Sequence, residues 1–516
     1  MARRHGQTTY FIEGEGFVGE QEIRSSNAPS VAALRADVDP TAPLDQSRAF
    51  RFSRLFDLEP FRPDPEALIE LGLAMEDNPN LKDNPEIVAG FTYLGQFVDH
   101  DITFDKTEGL PAGELKPEEI QQGRSPSLDL DSVYGRGAAL EIKKIYEDNK
   151  IKLRVGKTTP TTFGENTNFA ILNDLPRGDN PEKPLEATLG DPRNDENLAV
   201  AQTHLAFLKL HNIVVERFAQ YGLQGGDLFR TAKRSVIRHY QWIVLHDFLP
   251  KIINPAVLND VLINGRKFFK TTANREPSMP IEFSVAAYRL GHSMIRDAYE
   301  WNRVFQFEGP GPIASLELLF QFTGSNGQLG GNPTLPTNWV IDWTRFFDFK
   351  TVPGFVPNPK LNQARSIDTA LTSPLKMLPG FPASPEAALA VRNLLRGRLL
   401  GLPTGQAVAD AIGVAALTPE QVAQGPHAEV LKRHGFESQT PLWYYILKEA
   451  EVLENSLRLG AVGSRIVAET FVGLIEGSQT SILRNRYWRP DLPSLRPGHF
   501  TMVDLLLLVN DLNPLG

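Results

Sequence analysis

The chain has 516 residues, no cysteine and a formal net charge of -9, a length that allows either several domains or one oversized helical body. Without cysteine it can have no disulfide framework, no thiolate nucleophile, no iron-sulfur cluster and no cysteine-ligated zinc or haem. The acidic balance argues against a nucleic-acid surface.

Residues 1–49 mix glycine, charge and small side chains, and predict an N-terminal arm or surface wrap ahead of a domain spanning 50–516. The first residues are basic, no apolar signal segment follows them, and no apolar run reaches membrane-spanning length. A cytoplasmic protein without a transmembrane segment is therefore expected, with non-classical secretion left open and the oligomeric state undetermined. Pro65 to Met75 reads as a short helix opened by proline. Asn84-Pro85-Glu86 is a start signal, and the apolar periodicity predicts a helix from about Pro85 to His100.

The end of that predicted helix concentrates polar groups in an apolar stretch, Phe91 to Asp101. On a helix Gln96 and His100 lie one turn apart, Asp99 shares their side and Asp101 points elsewhere. Buried polar groups need a partner or a ligand, so such a cluster implies a task. Further on, Ser125, Ser127, Asp129 and Asp131 alternate with Pro126, Leu128 and Leu130. In an extended strand this places four oxygen side chains on one face, a hard-ligand set suited to Ca²⁺.

Residues 148–192 read as loop. Acids follow Arg193 at the opening of a long helical stretch that runs to Tyr221, and a second helix is expected from about Leu228 to His246. Phe283 to Ile295 predicts another helix, with His292 near its end and Arg289 one turn before. Glycine and proline make 308–337 a surface excursion, and Trp339 to Phe349 resumes the core. Helical patterns follow at 385–400, 404–413, 440–458, 461–476 and 504–509. There is no internal repeat and no convincing linker. The periodicity predicts many helices without fixing how they pack.

His100 and His292, the Arg193 and Glu196 pair, and the oxygen-rich loop form one coherent set. One histidine would bind haem iron and the other would act as acid and base on bound peroxide. Taken singly, His292 reads first as a satisfied core histidine and the loop as a solvated turn, and only then as ligands.

Five segments in order carry a resemblance to a known family: Gly95-Gln-Phe-Val-Asp-His-Asp101, Ser125 to Tyr134, Arg193-Asn-Asp-Glu196, Tyr288-Arg-Leu-Gly-His292, and Arg392-Asn-Leu-Leu-Arg-Gly-Arg398 before Gly401-Leu-Pro403. The chain resembles a bacterial member of the animal haem peroxidase superfamily, whose vertebrate members include myeloperoxidase and thyroid peroxidase, over roughly residues 50–510. The resemblance implies a mainly α fold, a large multi-helix single catalytic domain with little β structure, and haem b held by His292, with Asn393 orienting its ring and Arg289 pairing with a propionate. His100 becomes the acid-base group, Arg193 the cation that stabilises charge as the O–O bond breaks, and Gln96 the group that orients distal water or a halide.

Asp99 and Glu196 match the carboxylates that form ester links to haem, and whether they do so here stays open. Asn197 departs from the methionine of a sulfonium link, so that link cannot form. Asp101, Ser125, Ser127, Asp129 and Asp131 would hold Ca²⁺. The loop carries Asp131 where the family has serine, an extra carboxylate expected to strengthen cation binding.

The function implied is reduction of hydrogen peroxide to water through an oxoferryl intermediate. The donor would be a small organic molecule such as a phenol, or bromide or iodide, in an intracellular detoxifying or oxidative-biosynthetic role. Two other readings stand beside it. In a fatty-acid dioxygenase or cyclooxygenase a tyrosine lies two residues before a tryptophan; aligned on Trp343, that position is Ile341, which cannot form the radical. A non-enzymatic haem-binding protein would have no need of both His100 and Arg193.

Overall fold

The computed structural model describes residues 50–516 apart from the segments 77–80, 105–115, 118–119, 136–143, 164–166, 271–277 and 379–382 and residue 486, together with the antiparallel pair Phe11–Ile12 and Gly16–Phe17. The expected arm over 1–49 otherwise lies outside the described residues. A single hydrophobic cluster runs from Phe52 to Leu515, and the surrounding elements are mostly helices, as the periodicity predicts. Among the described residues strands are short and pair in twos, apart from one sheet of three.

The helix that carries His100 spans Gly90–Ile102, so it starts later than the sequence suggests. Residues Asp83–Val88 instead form a strand, antiparallel to Gln363–Arg365. Pro85 has no N–H to give and fits this two-stranded pair, where one side of the strand needs no donor. No side chain caps the helix. Its first N–H, on Gly90, donates to Phe346 O at 2.9 Å, and a Cβ on Gly90 would meet that oxygen at 2.5 Å. At the other end Thr103 N donates to Asp99 O at 2.8 Å, and Thr103 Oγ1 donates to the Asp99 carboxylate at 2.7 Å.

The core face of this helix packs on the central helix Leu198–Ala219: Phe97 stacks on Phe207 with centroids 4.8 Å apart. Asn197 caps the central helix by accepting the Ala199 N–H at 2.9 Å. Just before it, the 3₁₀ turn Pro192–Asp195 carries Arg193 and is capped by Asp191. The central helix is long and apolar enough to cross a membrane, but 83% of its most apolar stretch is buried inside the protein.

Opposite lies the His292 segment. The regular helix expected over 283–295 is absent; a π-helical turn, Glu282–Ala286, passes into a 3₁₀ helix, Ala287–His292. Such departures from α geometry re-aim side chains and concentrate at functional sites. Asn393 comes from the helix Leu389–Leu399, which starts one residue-turn later than the pattern over 385–400 implies. Its uncapped start is satisfied from outside, since the Glu76 carboxylate accepts the Ala390 N–H at 2.9 Å. Gly72 lets the helix Pro65–Met75 approach it closely, because a Cβ there would meet Val391 N at 2.7 Å.

Two further expectations change. Residues 125–130 are a series of bends and not a strand, and Leu130 adopts φ +58° before the turn Asp131–Tyr134. Residues 308–337 are only partly a surface excursion. They include the helix Leu316–Gln321, and Phe320 and Asn326 reach the cleft described next.

Candidate active site

The His100 helix and the His292 segment face each other across a cleft with about 1170 Å³ of empty space, part of it open to solvent. Gln96, Asp99, His100 and Glu196 line one side; Tyr288, Arg289 and His292 line the other; Phe248, Met294, Ile295, Leu316 and Leu389 are among the apolar walls. A flat apolar group with polar edges and a central metal fits this lining.

His100 is buried, and its Nδ1 lies 2.9 Å from the Asn194 side-chain oxygen. The Asn194 amide nitrogen lies 2.9 Å from His204 Nδ1, so a buried chain of three polar side chains runs from the cleft into the core. On the other side the Asn393 amide nitrogen stands 2.7 Å from His292 Nδ1; the resemblance implies this pairing but with the ring as donor, a direction that an amide nitrogen cannot accept. Each cleft histidine thus has its inner nitrogen engaged by an asparagine.

Arg289 spends only Nε inside the protein, donating to Ser284 O at 2.9 Å. Its remaining nitrogens suit a carboxylate at the cleft edge. Asp99 and Glu196 both line the cleft, with Thr103 Oγ1 donating to Asp99. Asn197, where a sulfonium link would need methionine, is occupied as a helix cap.

Arg193 is placed differently from expectation. Its guanidinium donates to the Asp191 carboxylate at 2.7 Å and to the backbone oxygens of His100 and Thr103 at 3.0 and 2.9 Å, and it is not among the groups that line the cleft. Burial acts to raise the Asp191 pKa, but the guanidiniums of Arg124 and Arg193 outweigh it and hold the carboxyl well below the usual range.

Behind the helix, one oxygen from each of Asp101, Asp129 and Asp131 falls within 4.8 Å of the others. Ser125 Oγ and Ser127 Oγ both donate to Asp129 Oδ2, at 3.0 and 2.6 Å, so all five predicted oxygen residues meet although no strand aligns them. Asp129 Oδ1 is buried without a hydrogen-bond partner. Burial and mutual repulsion push Asp101 up to about 7, the crowding that a hard cation relieves. Arg124, which the sequence does not single out, lies fully buried between Asp131 and Asp191 at 3.3 and 2.6 Å. With all three carboxyls ionised, as a bound cation would hold them, three carboxylates less one guanidinium give a formal charge of -2, with Asp191 and Arg193 as a neutral pair.

A mainly helical body with a cleft between two histidine-bearing segments is the architecture of haem peroxidases and related oxygenases. A family model described as animal haem peroxidase matches residues 103–421, more than half the chain though less than the motifs span, and the chain belongs to that family. A peroxidase-like protein of Margaritifera margaritifera is 28% identical over 230 residues, 42% of this chain and 26% of its own length. Peroxinectin A of Dictyostelium discoideum is 21% identical over 340 residues, 63% of this chain and 56% of its length. The chain therefore spans only part of these curated relatives. Among solved structures, peroxidase A of Dictyostelium discoideum superimposes with a TM-score of 0.64 at 16% identity, covering 95% of this chain and 98% of that one. The fatty acid alpha-dioxygenase of Oryza sativa gives 0.57 at 14% identity, covering 90% and 80%. Likenesses this remote establish the fold alone.

Proposed function

We propose that this protein is a peroxidase that binds haem between His100 and His292, reduces hydrogen peroxide to water and oxidises a small organic donor such as a phenol, or bromide or iodide. The observation that carries the reading is the paired arrangement of two histidines on one cleft, each with Nδ1 engaged by a buried asparagine. Bound haem would supply the iron redox chemistry. His292 Nε2 would be the iron ligand, and Asn393, whose amide nitrogen stands 2.7 Å from Nδ1, would fix ring orientation.

His100 Nε2 takes the proton from the near oxygen of peroxide and returns it to the far one, which leaves as water. Gln96, one turn earlier on the same cleft face, orients the water or halide. Arg193 serves from behind: paired with Asp191, its guanidinium holds the carbonyl end of the His100 helix and so the position of the acid-base group. Arg289 pairs with a haem propionate. Asp101, Asp129 and Asp131, with Ser125 and Ser127, hold Ca²⁺ and tie the His100 helix to the loop behind it. We keep the cytoplasm as the proposed location.

The test is a stopped-flow Soret record of the haem-loaded protein mixed with peroxide, then with bromide or a phenol. We expect a fast spectral change, its reversal by one donor class, and a loss of about 10²–10⁴-fold in rate for His100→Ala. A Soret band indifferent to peroxide in both proteins would leave haem binding without catalysis. Lipid oxygenation is the competing reading on the fold of the dioxygenases, one of which was solved with palmitic acid. The buried Ile341 at the radical position speaks against it, and oxygen uptake with palmitate would reverse that judgement.

Asp99 and Glu196 are proposed to form ester links to haem after turnover with peroxide. Mass spectrometry of the denatured protein should then find haem mass on the peptides that contain these residues, absent from an Asp99→Asn, Glu196→Gln variant. Release of all haem unmodified from the parent protein would refute the links.

A further inference from the structure

We propose that Asn194 is a positioning residue that sets the tautomer of His100, and that His204 holds Asn194 in the orientation this requires. The proposal rests on the reading of His100 as the group that moves the peroxide proton.

An asparagine amide has two unlike ends: the oxygen only accepts and the nitrogen only donates. The structure turns Oδ1 toward His100 Nδ1 and Nδ2 toward His204 Nδ1, each at 2.9 Å. His100 must then carry its proton on Nδ1, which leaves the lone pair on Nε2, the nitrogen proposed to act on peroxide. The converse orientation would place the His100 proton on Nε2 and block it as a base.

His204 fits the complementary role. It is fully buried, and burial depresses its pKa to about 3, so the ring stays neutral and offers Nδ1 as an acceptor, with its own proton on Nε2, which is buried without a hydrogen-bond partner. Its ring meets Phe97 edge to face at 6.0 Å, and Phe97 is itself stacked on Phe207. Asn194 is equally confined. On one side Arg193 is tied to Asp191 at 2.7 Å, and on the other Asp195 is tied to Arg177 at 2.9 Å. A polar residue clamped between two buried ion pairs can hold a directional bond without loss of rotamer freedom at each turnover.

The chain could instead be mere satisfaction of buried groups. That alternative would lower stability on mutation and leave the ring proton of His100 where it is. The deciding experiment uses the full-length haem-loaded protein in its cyanide complex, labelled with ¹⁵N-histidine, and follows the hyperfine-shifted ring N–H of His100 beside the rate of reaction with peroxide.

In the parent protein we expect an Nδ1–H signal protected from exchange with D₂O. In Asn194→Ala that signal should exchange at least about 100-fold faster, and the peroxide rate should fall about 10–100-fold. Asn194→Asp restores an acceptor and should recover both. His204→Phe should weaken protection by freeing the amide to turn over. If Asn194→Ala does not load haem, Asn194→Ser supplies the comparison, since a hydroxyl imposes no direction. A protected Nδ1–H and a rate within about twofold of the parent in these variants, while His100→Ala still loses its rate, would overturn the proposal and spare the peroxidase reading. A His100→Ala protein as fast as the parent would instead sink the peroxidase reading, and the N–H signals alone would then judge the tautomer.

Discussion

His211 illustrates how single buried residues give this protein a pH dependence of its own. Its ring is fully buried on the central helix, with Nδ1 3.0 Å from the Tyr134 hydroxyl and Nε2 2.8 Å from Ile151 O. Both bonds are satisfied when Nε2–H donates and Nδ1 accepts, so the neutral ring is the one that fits. Burial lowers the pKa from 6.5 to about 4, against a smaller opposing pull from the Ile151 carbonyl. Between these two values the unfolded chain binds a proton that the folded one refuses, so stability is full above the upper value and declines as pH falls toward the lower. Urea unfolding of the parent and of His211→Gln, whose amide can keep both bonds, should diverge over that window. The parent is expected to lose up to about 3 kcal/mol more than the variant, and parallel curves would show that the ring titrates normally. The cleft histidines and Asn393 were legible in the sequence because they sit in recognisable local motifs. Asn194, His204 and Arg124 were not, because their partners lie 94, 10 and 67 residues away and no periodicity records a contact of that kind.

At the scale of elements, the His100 helix is held from behind by charge. Asp101 accepts from Leu130 N and Ser132 N at 3.2 and 3.4 Å, and the buried line Asp131, Arg124, Asp191, Arg193 ends on the carbonyl of His100. The cation loop and the acid-base group are thus mechanically joined. Asp131 is less of a gain for cation binding than its substitution for serine suggests, since Arg124 already claims one of its oxygens. Calcium binding is tested by thermal unfolding of the haem-loaded protein with and without excess chelator. We expect a lower Tm and faster haem loss on chelation, and in Asp129→Asn an apparent Kd for Ca²⁺ raised at least about tenfold. Equal Tm values in calcium and in chelator would remove the ion from the proposal. Helix existence was readable from apolar spacing, whereas boundaries and geometry were not. The strand at Asp83–Val88 depends on a partner nearly 280 residues later, and the π and 3₁₀ turns around His292 follow from packing that periodicity does not encode.

The whole molecule is knit by contacts between its beginning and its middle. Phe50–Ser53 lies between Ser278–Pro280, parallel, and Gln121–Gln122, antiparallel. Directly after it, Leu55 N and Phe56 N donate to the buried carboxylate of Glu282, at 3.0 and 3.4 Å, and Glu282 opens the π turn that leads to His292. The start of the proposed catalytic domain is therefore part of the support of the candidate iron ligand. This places a sharp limit on truncation. A chain beginning at Ser47 keeps the strand and both donors, and is expected to load haem and unfold within about 3 °C of the full chain. One beginning at Asp57 loses the central strand of the sheet and strands a buried carboxylate, each lost hydrogen bond costing about 1–3 kcal/mol. It should unfold several degrees lower and hold haem less tightly, seen as a weaker Soret band at equal protein concentration. If removal of residues 1–46 alone produces that loss, the domain begins earlier than residue 50 and the arm belongs to the catalytic body.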